Sequence, residues 1–370
     1  MKKIKTGVIG AGAISDIYLT NLRNTFDCFD LVCVAANHIE SAQKKADKYG
    51  IRACTVEDML NDESIELVII LTPIGSHYDL IQKALTAGKH VYTEKTITEN
   101  TQQAKELIEL AEKKNLCLGS APDTFLGTAF QTARKAIDDG KIGEIHSFSV
   151  AITRNNDILT AMFPFLRQPG AGALRDYLVY YLTAIVTLLG PVECVSAFVK
   201  APYKTRKNNI PDTKGYGEEI ETPNESVIAA SLQLKNGIVG TVMENNETIA
   251  ADRADFALYG TKGVLLLGNP NLFGQLPKLL QPEGWTLEEP EELKQEGVYN
   301  ENARGLGPAE MVHAMEENRR HRANEKIAYH VLEVIEAMEE AEKIILLSIF
   351  SLTVRFLRSS MKTIISDTLQ

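Results

Sequence analysis

The sequence predicts an α/β fold for the first third of the chain and an α+β fold with a largely antiparallel sheet for the rest. Up to residue 121, short apolar runs alternate with helix-like stretches. Such alternation is typical of parallel strands joined by helical crossovers, and therefore of a doubly wound parallel sheet. Beyond that point, turn signals separate strand-like runs, as in antiparallel hairpins. A length of 370 residues is sufficient for two domains.

The first part contains five predicted strands and four predicted helices. The strands are Thr6–Ile9, Leu31–Ala36, Leu67–Leu71, His90–Tyr92 and Leu116–Leu118. The helices are Asp16–Asn24, Ile39–Tyr49, His77–Ala87 and Gln102–Lys114. Apolar residues recur at helical spacing in the last helix, and charged residues occupy its other face.

The second part begins with a predicted helix over Phe130–Asp139. Its predicted strands are Ile145–Ile152, Val192–Val199, Val227–Leu234, Ile238–Met243, Phe256–Tyr259 and Gly263–Leu267. The polar stretch Pro202–Pro223 predicts a long loop, and Pro308 predicts the start of one helix that runs to about Lys343. We therefore expect domains at residues 1–121 and 122–343, followed by an apolar and basic tail at residues 344–370.

Charge and cysteine content exclude several classes of protein. The formal net charge of −10 would repel nucleic-acid phosphates, so we expect no nucleic-acid partner. None of the cysteines forms a CxxC pair and no metal-ligand cluster is evident, so we expect no metal site. The sequence indicates buried free thiols in a reducing compartment, and we expect a cytoplasmic protein without a membrane span. The five cysteines are Cys28, Cys33, Cys54, Cys117 and Cys194.

A glycine-rich turn follows the first predicted strand and opens the first helix. Gly10 permits a tight turn, and Gly12 lets the backbone approach a pyrophosphate at the start of the helix. Ser15 stands where Gly or Ala is usual. The sequence therefore predicts a Rossmann domain that binds NAD or NADP through Gly10, Gly12, Ala13, Ile14 and Ser15.

The choice between the two cofactors depends on the end of the second strand. A carboxylate at that position would hold the ribose 2′-hydroxyl, and the residue there is Asn37. An amide can bond the hydroxyl without repelling a 2′-phosphate, but no arginine follows to attract that phosphate. The choice stays open, with a slight preference for NAD.

Two further segments lie at predicted strand ends, where open α/β sheets bind their ligands. Thr72, Pro73 and His77 follow the third strand of the first part, and Glu94 and Lys95 follow the fourth. We expect all five residues to contribute to the cofactor site, with Lys95 near the nicotinamide.

Together these motifs resemble the glucose-fructose oxidoreductase / inositol dehydrogenase family, Gfo/Idh/MocA. The family's E-K-P motif is matched by Glu94 and Lys95, with Thr96 in place of the proline. The resemblance covers residues 3–340. It includes the segments Gly119–Gly127, Gly140–Gly143, Gly170–Asp176, Leu188–Val192 and Gly260–Gly263.

The resemblance implies a second catalytic cluster and a class of substrate. The family carries an Asp followed four residues later by His; here the residues are Asp176 and Tyr180, with Leu178 replacing a small residue between them. The resemblance therefore implies catalysis by Lys95, Asp176 and Tyr180 on a sugar or polyol. The expected substrate-binding residues are Lys95, Asp123, Arg175, Asp176 and Tyr180, and His313 is a further candidate.

These residues suit hydride transfer between a nicotinamide cofactor and a hydroxyl carbon. Lys95 can stabilise negative charge on the substrate oxygen, and a nearby ammonium would lower the pKa of Tyr180 enough for a proton relay. Two alternatives stay open: a non-catalytic NAD(P)-binding sensor or regulatory protein, and a glycoside hydrolase that uses transient redox chemistry.

Two expectations concern assembly and the tail. The resemblance implies a homodimer or homotetramer formed through an uncovered sheet face that includes Val227–Leu234. The tail from Ile344 could pack on the protein, lie at a membrane surface or have no role. Truncation after Lys343 is expected to preserve cofactor binding and chemistry, because every candidate site residue precedes it.

Overall fold

The computed structural model describes residues 3–249, 252–283, 286–287 and 289–344. The predicted tail lies outside these residues, apart from Ile344 at the end of the last helix. The chain begins with a six-stranded parallel sheet in the order β3-β2-β1-β4-β5-β6. Its strands are β1 (Ile4–Ile9), β2 (Phe29–Ala35), β3 (Arg52–Cys54), β4 (Leu67–Ile70), β5 (His90–Thr93) and β6 (Leu118–Ser120).

Helices cover both faces of this sheet. They are α1 (Ser15–Asn24), α2 (Ile39–Tyr49), α3 (Val56–Asn61), α4 (His77–Thr86) and α5 (Thr101–Lys114). Successive strand residues such as Val8 and Ile9 point to opposite faces, yet both are buried and belong to different core clusters. Apolar burial on both sides is the arrangement of a doubly wound sheet, which confirms the predicted fold class.

The five predicted strands of the first part are confirmed within a few residues at their ends, but the count of five was too low. The sheet has a sixth strand, β3, which is followed by the six-residue helix α3. The strand has three residues, one of them the exposed Arg52, so it shows no apolar run. Helix α3 nevertheless has a clear start signal, because Thr55 and Asp58 form a capping box.

The second sheet has eight strands in the order β18-β15-β14-β13-β7-β12-β11-β8. Strand β7 pairs in parallel with β12, whereas the other described pairs of this sheet are antiparallel. Its strands are β7 (Ile145–Thr153), β8 (Val192–Lys200), β11 (Val227–Leu234), β12 (Val239–Asn245), β13 (Arg253–Gly260), β14 (Gly263–Leu267), β15 (Lys278–Leu280) and β18 (Glu291–Glu292).

The remaining helices accompany this second sheet. They are α6 (Thr128–Asp138), α7 (Asn156–Met162), α8 (Val179–Leu189), α9 (Leu306–Glu316) and α10 (Glu325–Ile344), and a π-helical segment over Leu174–Leu178 leads directly into α8. One face of the sheet joins the main core, as alternate residues of β11 are buried. The other face of β11 is exposed at Ala229, Ser231 and Gln233.

The predicted long loop in this part was wrong. The stretch Pro202–Pro223 is not a continuous loop, because β9 (Thr205–Lys207) and β10 (Glu219–Glu221) pair in it as an antiparallel ribbon. A second small antiparallel pair consists of β16 (Pro282–Glu283) and β17 (Thr286–Leu287).

The single helix predicted from Pro308 to Lys343 is instead two helices, α9 and α10. Asn318 adopts a left-handed φ of 50° after α9, a conformation that asparagine tolerates. Asn324 then accepts hydrogen bonds from the N–H groups of Lys326 and Ile327 and so caps the start of α10. Helix α10 also packs on the first sheet, because its Leu332 lies in the same core cluster as Leu107 of α5. The predicted division at residues 121 and 122 stays a prediction.

Candidate active site

The glycine-rich turn joins β1 to α1 at the carboxyl edge of the parallel sheet. Gly10 has φ +120°, and a Cβ built on it would lie 2.8 Å from the Leu71 carbonyl carbon. A side chain is therefore excluded at Gly10. A Cβ built on Gly12 would meet no atom within 4 Å, so the turn has open space above it. This space lies beside the first turn of α1, whose N–H groups lack intrahelical partners and favour an anion.

Ser15 supports this turn. Its hydroxyl donates a 2.6 Å hydrogen bond to the carbonyl oxygen of Gly12, and its side chain is buried. The departure from Gly or Ala at this position thus stabilises the turn instead of obstructing it. Asn37 lies on the surface just after β2. The turn fits a dinucleotide, because the space next to Gly12 is open and adjoins the start of α1.

Glu94 and His77 fix the neighbouring strand ends. One Glu94 oxygen accepts a 2.7 Å hydrogen bond from the hydroxyl of Tyr18 on α1. His77 is fully buried, and its two ring nitrogens lie 2.8 Å from the carbonyl oxygens of Thr72 and Thr96. Burial lowers the pKa of His77, although both carbonyl contacts oppose this effect. These contacts join the segments after β4 and β5, so His77 holds the strand ends together.

Lys95 and Asp176 form the polar centre of the site. The Lys95 Nζ donates hydrogen bonds to the Asp176 Oδ1 at 2.8 Å and to the Asp176 carbonyl oxygen at 2.7 Å. Their side chains are 15% and 16% exposed, which leaves this pair accessible yet largely shielded from water. Burial alone would lower the pKa of Lys95, but Asp176 and Tyr180 outweigh it and raise that pKa. Lys95 is therefore a cation at neutral pH.

Tyr180 lies beneath Lys95, but its hydroxyl points elsewhere. The Lys95 Nζ is 5.7 Å from the centroid of the Tyr180 ring. The Tyr180 hydroxyl accepts a 3.3 Å hydrogen bond from Arg304. Burial raises the pKa of Tyr180, and the opposing effect of Lys95 is smaller. The ammonium lowers this pKa, as expected, but desolvation is the larger effect and the net shift is upward.

The other predicted substrate-binding residues contact other parts of the chain. Asp123 is buried and accepts hydrogen bonds from the N–H groups of Gly305 at 3.1 Å and Gly307 at 2.9 Å. Arg175 forms an ion pair with Glu339 of α10. His313 lines a separate groove beside α9. Burial raises the pKa of Asp123 to about 6.

A pocket adjoins Asp176 on the side of the second sheet. Both polar and apolar residues line it, and its empty space of about 350 Å³ includes open solvent. The polar residues that line it are Arg154, Asn156, Thr160, Asp176, Thr222, Asn224, Glu225 and Asn246.

Sequence reasoning missed three charged residues of this region: Arg154, Glu244 and Arg304. The Arg154 guanidinium lies 3.7 Å from Asp176 and 4.0 Å from the centroid of the Tyr177 ring. Glu244 could have been found, because it falls two residues after buried Val242 and so interrupts an alternating apolar pattern. Arg154 and Arg304 lie outside the strands and helices and carry no comparable signal.

Neither a metal centre nor a membrane span was found in the part of the chain described. Among the described residues, no three His, Cys, Asp or Glu side chains group closely enough to hold a metal ion. No described helix combines the length and apolar character needed to cross a membrane.

A Rossmann sheet with a dinucleotide turn, facing a lysine–aspartate pair, defines an oxidoreductase of the dinucleotide-binding class. A family model described as "Oxidoreductase family, NAD-binding Rossmann fold" matches residues 4–121. The model of the GFO/IDH/MocA C-terminal domain matches residues 130–266. The chain belongs to the Gfo/Idh/MocA oxidoreductase family, as the motifs predicted.

Two curated relatives illustrate the similarity. An oxidoreductase of Schizosaccharomyces pombe is 32% identical over 201 residues, which are 53% of this chain and 54% of the relative. A scyllo-inositol 2-dehydrogenase (NADP(+)) of Bacillus subtilis is 26% identical over 198 residues, or 54% of this chain and 55% of the relative. The chain thus spans about half the length of these curated relatives.

The fold also resembles solved structures. A levoglucosan dehydrogenase in complex with NADH and L-sorbose superimposes with a TM-score of 0.80 at 18% identity. The similarity covers 93% of this chain and 97% of that one. At this identity the likeness shows a shared fold, which includes both sheets.

Proposed function

We propose that this chain is an NAD(P)-dependent dehydrogenase or reductase that acts on the CH–OH group of a sugar or polyol. The shielded Lys95–Asp176 pair carries this proposal, because it offers a cation and a carboxylate at the carboxyl edge of the Rossmann sheet. The names of the inositol and levoglucosan dehydrogenases support the substrate class.

The cofactor would be held by the turn and the neighbouring strand ends. We assign the pyrophosphate to Gly10, Gly12, Ala13, Ile14 and Ser15, and the ribose to Asn37. The segments containing Thr72, Pro73, His77 and Glu94 would flank the nicotinamide half. When bound, the nicotinamide supplies or accepts the hydride. The cofactor remains NAD or NADP, with a slight preference for NAD, because Asn37 carries no charge to attract a 2′-phosphate.

Lys95 would act on the substrate oxygen. In oxidation the hydride leaves the carbon for the cofactor, the hydroxyl proton is released to solvent, and the Lys95 ammonium donates a hydrogen bond to the oxygen, which stabilises the negative charge that develops there. In the reductive direction the same ammonium gives its proton to the oxygen of the carbonyl. Asp176 holds the ammonium in place through two hydrogen bonds and presents its second carboxylate oxygen towards Arg154.

A substrate panel tests the proposal. Purified protein is incubated with NAD or NADP and a set of inositols and monosaccharides, and formation of the reduced cofactor is followed by fluorescence. We expect reduction with at least one polyol or sugar. Tight cofactor binding without turnover of any compound would instead favour a sensor or regulatory protein.

The raised pKa of Tyr180 favours that second candidate function. Burial raises this pKa although the hydroxyl accepts a hydrogen bond from Arg304, and a raised pKa makes the phenolate that a proton relay uses harder to form. A non-catalytic NAD(P)-binding protein would need no relay. A glycoside hydrolase with transient redox chemistry would cleave glycosides added to the panel without any net change in the cofactor.

The substitution Tyr180→Phe distinguishes the ring of Tyr180 from its hydroxyl. Phenylalanine keeps a ring beneath Lys95 but cannot accept a hydrogen bond from Arg304. We expect turnover to fall less than about tenfold, because the catalytic cation stays in place. In Tyr180→Ala, which also removes the ring, the fall should be larger. A loss of about a hundredfold or more in Tyr180→Phe would show that the hydroxyl relays a proton.

We also propose a homodimer or homotetramer assembled through the open face of the second sheet. Phe198 and Met243 are 50% and 45% exposed on this face. They form a row across neighbouring strands with Ala229 and Ala151. An uncovered apolar row of this kind usually marks an interface.

Light scattering at micromolar concentration tests this assembly. We expect a mass of two or four 40.9 kDa chains for the wild type. Phe198→Glu should lower that mass, because a charge would be buried in the interface. Val298→Glu, at a residue 76% exposed outside this face, is the control. A wild type that remains monomeric contradicts the assembly.

The cellular compartment is a smaller proposal. All five cysteines are free thiols, and three of them are buried. Thiols persist in a reducing compartment, so we infer a cytoplasmic protein.

A further inference from the structure

Glu244 is a buried acid that the proposed reaction does not use. It is 0% exposed on β12, and neither carboxyl oxygen has a hydrogen-bond partner among the described residues. Buried polar groups are nearly always paired, so each exception requires a specific explanation. Its charge interacts with those of Asp176 and Tyr177, both in the π-helical segment, which suggests an explanation within the site.

Arg154 connects Glu244 with the site. It follows the end of β7, and its N–H donates a 3.0 Å hydrogen bond to the carbonyl oxygen of Asn245, the neighbour of Glu244. Ile152 of β7 pairs with Glu244 of β12. Ile152 stands two residues before Arg154 and therefore lies on the same side of the strand as Arg154. The elements that pack around Glu244 contribute further titratable or charged groups. These groups are Arg154, Asp176, Tyr177, Tyr181 and Glu225.

The Arg154 guanidinium is held loosely. Its ion-pair distances to Asp176 and Asp252 are both 3.7 Å, and its Nε makes no hydrogen bond with any described residue. It also lies over the ring of Tyr177. The guanidinium therefore makes no short contact that fixes it at either carboxylate.

We propose that Glu244 is a positioning residue that controls the Lys95–Asp176 pair through Arg154. In its neutral form Glu244 leaves the guanidinium beside Asp176, and in its ionised form it draws the guanidinium away. Asp176 then faces Lys95 without a second cation, so the ammonium is held more tightly and donates less readily to the substrate oxygen. The catalytic part of this role rests on the proposed function.

The titration of Glu244 supports this role. Burial raises its pKa from 4.5 to about 8, and the smaller effect of Arg154 opposes the shift. Glu244 is therefore neutral at neutral pH and ionises as the pH rises through about 8. The folded state holds this proton more tightly than the unfolded chain. The free energy of unfolding therefore falls as the pH rises from 4.5 to about 8. Glu244→Gln removes this fall, because an amide does not ionise.

The first test compares the pH profiles of turnover for wild type and Glu244→Gln, on a substrate found in the panel. We expect similar kcat values at neutral pH. Above the pKa of Glu244, the ratio of variant to wild-type kcat should grow up to about tenfold per pH unit. Glu193→Gln, an exposed acid on the outer face of the same sheet, is the control and should leave the profile unchanged. A constant ratio for Glu244→Gln would overturn the proposal.

The second test does not depend on turnover. Thermal unfolding is measured for Glu244→Gln, Arg154→Lys, Arg154→Met and the double variants, at neutral and alkaline pH. We expect the effects of Glu244→Gln and Arg154→Met to be non-additive at alkaline pH and nearly additive at neutral pH. Arg154→Lys keeps the positive charge, so its non-additivity with Glu244→Gln at alkaline pH should be smaller than that of Arg154→Met. Additivity at both pH values would overturn the link to Arg154, even if the substrate panel shows no oxidoreductase activity.

Discussion

Replacing Lys95 with methionine should lower kcat by about a thousandfold, or about 4 kcal/mol of transition-state stabilisation. Methionine has a similar length and fills the space above the Tyr180 ring, but it cannot donate to the substrate oxygen. The affinity for the cofactor should change only a few-fold, because the turn at Gly10–Ser15 is untouched. The measurements are steady-state turnover on the true substrate and calorimetric binding of the cofactor.

Lys114→Met is a matched control for this substitution. Lys114 ends α5, and its Nζ donates a hydrogen bond to the carbonyl oxygen of Thr86, away from the site. Its replacement should leave turnover near the wild-type value. Near-native turnover in Lys95→Met would remove the lysine from the mechanism and with it the main support for the proposed chemistry.

The second large effect is expected for Gly12→Val. The space around Gly12 is open in the protein, so the free enzyme should keep its unfolding midpoint within a few degrees. The valine side chain would occupy the space assigned to the pyrophosphate. The affinity for NAD(H) or NADP(H) should therefore fall by about a hundredfold, or about 2.7 kcal/mol. Isothermal calorimetry measures the affinity, and circular dichroism monitors the fold.

Gly10→Ala tests the other glycine of the turn and should behave differently. Its added Cβ would lie 2.8 Å from the Leu71 carbonyl, on a backbone with a positive φ. We expect a loss of stability of about 1–3 kcal/mol before any effect on binding is considered. If Gly12→Val binds the cofactor as tightly as the wild type, the pyrophosphate lies elsewhere.

The fold was predictable where buried residues recur with the period of a helix or a strand. The boundaries of α2 and β11 were predicted to the residue, because buried residues recur at helical spacing in α2 and alternate in β11. Strands β3, β9 and β10 have three residues each and are rich in charge, so their pairing depends on neighbours that the sequence does not identify. The break between α9 and α10 had local signals in Asn318 and Asn324, but the continuous Glu-rich pattern outweighed them.

The candidate site was predictable only where a sequence motif carries the residue. Lys95 follows β5 and Asp176 follows a glycine-rich segment, and these two residues do meet. The direction of the Tyr180 hydroxyl was not predictable, because it depends on Arg304, more than a hundred residues later in the chain. The pKa of Tyr180 could not be predicted either, since sequence spacing reports charged neighbours but not the degree of burial.

The most direct test of the central claim is the transfer of deuterium. A substrate identified in the panel is deuterated at its CH–OH carbon and incubated with oxidised cofactor, and the reduced cofactor is analysed by mass spectrometry. We predict that the reduced cofactor contains the label, and that Lys95→Met forms about a thousandfold less of it in the same time. Reduced cofactor without label, or labelled cofactor formed equally fast by Lys95→Met, would contradict hydride transfer at this site.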